Sequence, residues 1–337
     1  MNNVSLANKY RPVEFETVCS QSSLIKILKR QLETKSFKNC ILLEGPSGTG
    51  KTTIARILAK KINNGLGNPI EIDGASNNGV DNVREIVNSA SERSLDSEYK
   101  IFVIDECHQI SNAGWNAFLK CIEEPPKYTI FIFCTTDPQK IPQTIINRCQ
   151  VYHLTRVSLD LIVNRLKFVC ESEDFKYSDD AINYIARLAD GSMRQALSYL
   201  DMCKDYSTMI NMQNVLACLG DYSYDTFFNL TNYIIDANKP YILKTIDNLH
   251  NNGIDLKLFM ANFVKFALQL TKFIIFNDIT ATDIPEYYLD KVKYTVGIQD
   301  NLKWFNTFID KLLNIKLSIK NDLDIKTTIE ILLLECC

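Results

Sequence analysis

The chain reads as an α/β protein: a parallel sheet flanked on both faces by helices, followed by a small helical region and then an all-α region. Three observations lead there. Five short runs rich in β-branched and aromatic residues are spaced through the first 155 positions, a glycine-rich loop joins the first run to a helical segment, and strand patterning stops near Arg156. The runs are ILLE (41–44), PIEID (69–73), KIFVID (100–105), YTIFIFCTT (128–136) and QVYHLT (150–155). They are nearly continuous in apolar residues rather than alternating, as strands are when helices cover both sides. Helical spacing occupies the intervals, in TIARILAKKI, VDNVREIVNSASERS, NAGWNAFLKCIEE and the short IPQTIINRC. It then takes over in LDLIVNRLKFVCESE, DDAINYIARLAD, SMRQALSYLDMCKDY and NMQNVLACLG. The polar stretch Gly220–Tyr224 marks a boundary before a helical remainder. The expected organisation is a sheet domain over 1–155, a helical lid over 156–219 and an all-α collar over 220–337.

With 337 residues, 46% hydrophobic and 23% charged, the composition is that of a soluble globular protein with room for two or three domains. No signal sequence is expected. The greasiest stretch, Phe263–Phe276, is interrupted by Lys265 and Lys272 and reads as a buried helix too short for a bilayer, so no membrane partner is expected. The eleven cysteines are scattered singly except for Cys336 and Cys337, and no CxxC spacing exists. They suit small buried hydrophobes in a reducing compartment, and His108, His153 and His250 are unclustered, so zinc is not expected. Residues 1–155 hold 18 Lys/Arg against 16 Asp/Glu while the remainder holds 19 against 24, which makes the sheet half the candidate for facing a polyanion, through a local groove rather than a strong basic field.

The loop GPSGTGKTT is the strongest signal. Gly45, Gly48 and Gly50 let the backbone curl so that N–H groups converge on phosphate oxygens at the positive end of the following helix, and Pro46, Ser47 and Thr49 complete the loop. Lys51 is placed for the β- and γ-phosphates, Thr52 offers a hydroxyl to magnesium, and Thr53 continues the helix start. A nucleoside triphosphate, ATP with Mg2+, is the expected ligand. KIFVIDECH then puts Asp105 and Glu106 at the carboxyl edge of the sheet, where ligands of such sheets bind. Asp105 is assigned to magnesium and Glu106 to polarising the attacking water. FCTTDPQKIP brings Thr135 and Thr136 to the same edge; taken alone, that segment reads as a strand-terminal turn capped by Thr136 and Asp137. Arg148, in IINRCQ, and Arg194, in DGSMRQAL, are each either a γ-phosphate arginine or a surface ion-pair residue on spacing alone.

Together these segments, with NKYRPVEFETVCSQ, EIDGASNNGVDNVREI and IDECHQISNAGWNAFLKCIEEPP, resemble the AAA+ clamp-loader ATPases, and among them the tau/gamma subunits of bacterial DNA polymerase III more than replication factor C small subunits. The resemblance implies that Tyr10, Arg11 and Pro12 lie beside adenine, that Thr136 senses the γ-phosphate, that Arg148 reaches a neighbouring subunit's ATP and that Arg194 senses nucleotide in cis. It implies a five-membered ring of loader subunits, a sliding clamp and primer–template DNA as partners, with Arg84 and the helix starts after Asn78 and Asn112 facing DNA phosphates. The location implied is cytoplasmic, in a bacterium or in the host cytoplasm for a viral chain. Two departures stand out: INNGLGNP (62–69) replaces a four-cysteine zinc module, and Asn147 precedes Arg148 where the family motif has serine. The chain resembles a short form without the C-terminal extension. Other readings are a different AAA+ DNA motor, such as a branch-migration helicase, or a non-hydrolysing ring subunit; intact Lys51, Thr52, Asp105 and Glu106 oppose the latter.

Overall fold

The computed structural model describes residues 4–219, 224–284, 288–298, 302–322 and 324–337. The chain divides into two compact units, residues 1–211 and 212–337.

The first unit is built on a five-stranded parallel sheet: β1 (Cys40–Glu44), β2 (Ile70–Asp73), β3 (Lys100–Asp105), β4 (Thr129–Thr135) and β5 (Gln150–His153), in the order β2-β3-β4-β1-β5. Each expected strand is present, with ends shifted by at most a few residues. In the central strands β1, β3 and β4 the continuous apolar runs follow from burial on both faces, whereas the edge strand β2 is largely exposed. Ile41, Leu43, Ile101, Val103, Ile130 and Ile132 point to one side, where α2 (Ser22–Thr34) and α3 (Lys51–Ile62) supply Leu24, Leu28, Ile54 and Leu58. Leu42, Phe102, Ile104, Phe131 and Phe133 point to the other, against Val83 and Ile86 of α4 (Val80–Ala90), Trp115, Phe118 and Ile122 of α5 (Asn112–Glu123), and Ile145 of the single-turn α6 (Gln143–Ile146). Burying each such side chain contributes about 1.5–3 kcal/mol, so the two-sided core, not strand propensity, fixes the register.

A helical layer follows: α7 (Leu159–Ser172), α8 (Asp179–Leu188) and α9 (Met193–Tyr206). Two features there have no counterpart in the sequence pattern. Lys176–Tyr177 and Met209–Ile210 pair as a two-residue parallel ladder, and Ser178 N–H donates to Ile210 O at 3.0 Å; runs of two residues carry no periodicity. At the chain's start, α1 (Leu6–Lys9) packs on α9, and its Leu6 N–H donates to Asp201 Oδ2 at 3.2 Å.

The second unit is helical: α10 (Met212–Leu219), α11 (Tyr224–Ile235), α12 (Lys239–Asn251), α13 (Leu256–Phe276), α14 (Leu289–Ile298), α15 (Leu302–Ser318) and α16 (Ile325–Leu334). The break between units falls before α10, whereas the boundary stretch Gly220–Tyr224 lies, except for Tyr224, outside the described residues. The stretch from Phe263 proves to be part of a 21-residue helix, long and apolar enough to cross a membrane by length and composition, contrary to the shorter span expected. Asp255 caps its start, accepting from Lys257 N and Leu258 N at 2.8 and 3.2 Å. It packs as a core helix, with Phe259, Phe263 and Phe266 beside Phe227 of α11.

The short connection that stands in place of a zinc module is closed by Asn63. Its amide donates to Tyr99 O at 2.8 Å and its Oδ1 accepts from Tyr99 N at 2.9 Å, so one side chain substitutes for a strand partner at the start of β3. Asn63→Ala leaves Tyr99 N–H without this partner, while Tyr99 O keeps Ser97 Oγ at 3.1 Å, and should lower stability by about 1–3 kcal/mol, read as a reduced urea midpoint with unchanged m-value; a midpoint equal to wild type contradicts this role.

Candidate nucleotide-binding site

In the parallel sheet β1 and β3 are separated by β4, so the loop after β1 must reach across one strand to meet the end of β3. It does so through the first turn of α3. Thr52 Oγ1 donates to Asp105 Oδ2 at 2.7 Å, joining the two elements that carry the phosphate loop and the acidic strand end. Gly45, Gly48 and Gly50 all have positive φ (151°, 74° and 101°), and Gly50 is the residue from which α3 starts. Lys51 is buried, with Nζ donating to Gly45 O and Pro46 O at 2.8 and 2.9 Å. Burial pushes its ammonium below the usual lysine range, while the Glu106 and Asp105 carboxylates oppose the shift. A cation folded onto loop carbonyls fits a group that turns to an anion when one is offered.

One cavity in this unit is lined by Tyr10, Arg11, Pro12, the loop from Ser47 to Thr53, Asp105, Glu106 and Arg194. Most of the residues singled out from the sequence are thus brought together. Gly45 and Pro46, at the start of the loop, do not line the cavity, and Gly45 is required where it stands: an added Cβ would be 2.4 Å from Leu154 O. Arg11 is partly buried among cations; burial lowers it from the usual arginine value, and Arg56 and Arg194 act in the same direction. Thr136 is set at the edge through Glu106, its Oγ1 donating to Glu106 Oε2 at 3.0 Å. Glu106 itself adopts a left-handed backbone with φ 44°, an uncommon conformation for glutamate.

Arg194 reaches the cavity because the lid rests on the loop. Met193 N–H donates to Gly48 O at 3.1 Å, and Ser192, whose Oγ caps α9 by accepting from Gln195 N at 3.2 Å, lies where a Gly48 side chain would be. Arg148 is placed elsewhere. It does not line the cavity; it is held on the surface, donating to Glu123 Oε1 at 2.6 Å and Thr144 O at 2.7 Å, while the amide of Gln143 donates to Asn147 Oδ1 at 2.8 Å. Arg84 pairs with Asp81 at 3.0 Å near the start of α4. Asn112 is the first residue of α5 rather than the residue before it: the cap is Ser111, accepting from Gly114 N at 3.1 Å, and α4 likewise starts at Val80 after Gly79.

Part of the lining receives no role from the sequence: Val18, Cys19, Ser20 and Leu197, which lie inside the motif segments, and Val157 and Arg165, which no motif covers. Arg165 donates to Tyr10 O at 2.8 Å and lies over the Phe168 ring at 5.2 Å, tying the N-terminal segment to α7. Tyr10 OH also donates to Glu173, which pairs with Lys9 at 2.6 Å. Arg165 sits in a helix whose spacing signals only amphipathicity; its contact is 155 residues distant in sequence and leaves no local trace.

A parallel sheet with a glycine loop before α3, an acidic strand end and a helical lid against the loop defines a P-loop domain of the AAA+ type. Its fold matches RuvB, a Holliday junction branch migration motor of Thermotoga maritima, at 19% identity and a TM-score of 0.53 over 73% of this chain and 86% of that one. Residues 68–158 match the family model of the DNA polymerase III delta subunit, and residues 161–202 that of the DNA polymerase III clamp loader subunit, ATPase lid domain. DNA polymerase III subunit gamma of Buchnera aphidicola from Acyrthosiphon pisum is 31% identical over 293 residues, 80% of this chain and 81% of that protein. The tau subunit of Bacillus subtilis is 36% identical over 277 residues, 76% of this chain and 49% of its own length, and the gamma/tau subunit of Mycoplasma genitalium 30% over 301 residues, 82% and 50%. The chain belongs to the DNA polymerase III gamma/tau family, and it spans about half the length of these tau and gamma/tau relatives.

Two loop glycines with positive φ separate backbone strain from contact. Gly50 has nothing within 4 Å of an added Cβ, whereas at Gly48 the atom would stand 1.9 Å from Ser192 Oγ. Gly48→Ala should therefore destabilise the chain by about 1–3 kcal/mol more than Gly50→Ala, measured by thermal denaturation; equal losses contradict the docking of Ser192 on the loop.

Proposed function

We propose that the chain is an ATP-hydrolysing subunit of a DNA sliding-clamp loader, acting in the cytoplasm with a clamp, other loader subunits and primer–template DNA. The observation that carries this is the division of its arginines: Arg194 lines the same cavity as Lys51, Thr52, Asp105 and Glu106, while Arg148 stands outside it with an exposed, easily exchanged partner. A surface pair such as Arg148–Glu123 is worth roughly 0–1 kcal/mol, so the guanidinium is released at little cost.

In this reading the loop N–H groups and the α3 N-terminus bind the phosphates, Lys51 leaves the Gly45 and Pro46 carbonyls for the β/γ oxygens, and Tyr10–Pro12 border the adenine. Thr52 and Asp105 fit magnesium, an oxygen-seeking ion: they are a hydroxyl and a carboxylate already 2.7 Å apart. The ion, when bound, neutralises developing phosphate charge. Glu106 accepts the proton of the attacking water, and Thr136 turns its hydroxyl from Glu106 to the γ-phosphate. Arg194 responds to nucleotide in its own chain and Arg148 completes the site of an adjacent subunit, so that ATP lies between protomers and couples its hydrolysis to the shape of the ring. The three-part organisation follows: sheet domain, lid, and a helical collar for assembly. A five-membered ring and DNA contacts near Arg84 and Asn112 are part of the same proposal. The likeness to RuvB concerns the fold alone and does not favour a helicase.

Lys51→Ala should abolish ATP binding, and with it clamp loading, in a titration with a fluorescent ATP analogue; retained affinity removes Lys51 from the phosphates. Arg148→Ala should leave nucleotide affinity intact and slow hydrolysis in the assembled complex by about 10³-fold or more; unchanged turnover there removes the inter-subunit role.

A further inference from the structure

His108 has no part in the scheme above, yet it is built into the site. It lies on the short turn Cys107–Gln109 that follows β3, with only 7% of its side chain exposed. Its Nδ1 stands 3.2 Å from Thr135 Oγ1 and 3.3 Å from Glu106 Oε2, and its Nε2 stands 3.0 Å from the amide nitrogen of Gln109. With that amide nitrogen as the donor, Nε2 accepts and Nδ1 carries a hydrogen facing the threonine hydroxyl and the carboxylate together, and this tautomer is part of the inference. Thr135 Oγ1 is itself fixed by accepting from Asp137 N–H at 3.0 Å. The ring is therefore anchored on both sides.

Glu106 has a second neighbour of different character. Its Oε2 also accepts from Thr136 Oγ1 at 3.0 Å, a hydroxyl that the proposed mechanism requires at the γ-phosphate. When that hydroxyl leaves, a long side chain on a left-handed backbone loses one of the two groups that hold it. A general base works only within hydrogen-bond reach of its water, so its direction must be kept by the other.

We propose that His108 is a positioning residue for Glu106: its Nδ1–H holds the carboxylate in the working direction once Thr136 turns to the phosphate. The proton stays on the imidazole throughout. This rests on the hydrolytic reading given above and goes beyond it by assigning a role to a residue that neither binds phosphate nor reacts.

The test uses the full chain assembled with its companion loader subunits and Mg–ATP, phosphate release for kcat and titration with a fluorescent ATP analogue for Kd. His108→Asn keeps an amide nitrogen near the position of Nδ1, whereas His108→Gln places it near Nε2. His108→Ala and His108→Gln should lower kcat by about tenfold or more with Kd nearly unchanged, and His108→Asn should recover most of the loss. In a Glu106→Gln background, His108→Gln should cause no further loss. Recovery by glutamine as complete as by asparagine, wild-type kcat in either deficient variant, or a fall in affinity that matches the fall in rate overturns the inference. Should His108→Ala fail to fold, the asparagine–glutamine comparison at matched melting temperature decides the matter. No turnover by the unaltered chain in the assembled complex overturns the hydrolytic reading and this inference with it; turnover that His108→Gln leaves untouched overturns the inference alone.

Discussion

The hydrogen bond between Thr52 and Asp105 closes a gap of one strand. In the order β2-β3-β4-β1-β5 the phosphate loop and the acidic strand end are not neighbours in the sheet, and only the α3 start, riding over β4, brings them within 2.7 Å. Much of the surrounding structure serves that juxtaposition. The two-sided core fixes the register of β3 on β4 and of β4 on β1, and a slip of one residue would turn Asp105 to the opposite face. The positive φ of Gly50 lets α3 begin where it must, and Lys51, next in the chain, is then buried under the loop.

Around this fixed centre stand groups held by bonds that can be exchanged. Lys51 rests on two carbonyls, Thr136 on Glu106, and Arg148 on an exposed carboxylate. Each partner is a group of the protein, and each could be traded for a phosphate oxygen at low cost, since a typical hydrogen bond contributes only about 0.5–1.5 kcal/mol net. The lid differs: Met193 N–H bonds the loop backbone directly, and Gly48 admits Ser192. The position of Arg194 is thus mechanically linked to the loop itself, which gives a bound nucleotide a direct lever on the helical layer.

Sequence alone reveals the elements whose signal is local. The three central runs become β1, β3 and β4 because burial on both faces leaves no alternation to misread, the edge runs β2 and β5 are legible by their β-branched and aromatic residues, and the phosphate loop is legible because each glycine answers a conformational demand. Contacts between distant segments are not legible. Arg165 meets Tyr10 across 155 positions, Ser192 meets Gly48, and His108 acquires its place only when β4 lies beside β3. The three histidines look unclustered in the sequence because their surroundings are assembled by the fold. The two-residue ladder of Lys176–Tyr177 with Met209–Ile210 is invisible for a simpler reason: it is shorter than any period. The long helix Leu256–Phe276 looks short in the sequence because Lys257 and Asn262 interrupt its first two turns before the run from Phe263.

The most direct test of the central claim is calorimetric titration of the chain with ATP in the presence and absence of Mg2+. One site per chain is expected, with affinity that strengthens on adding the ion and loses that gain when Asp105 is changed to asparagine. Binding that ignores both the ion and the substitution, or no binding at millimolar nucleotide, would contradict the joining of phosphate loop and strand end into a single metal–nucleotide site.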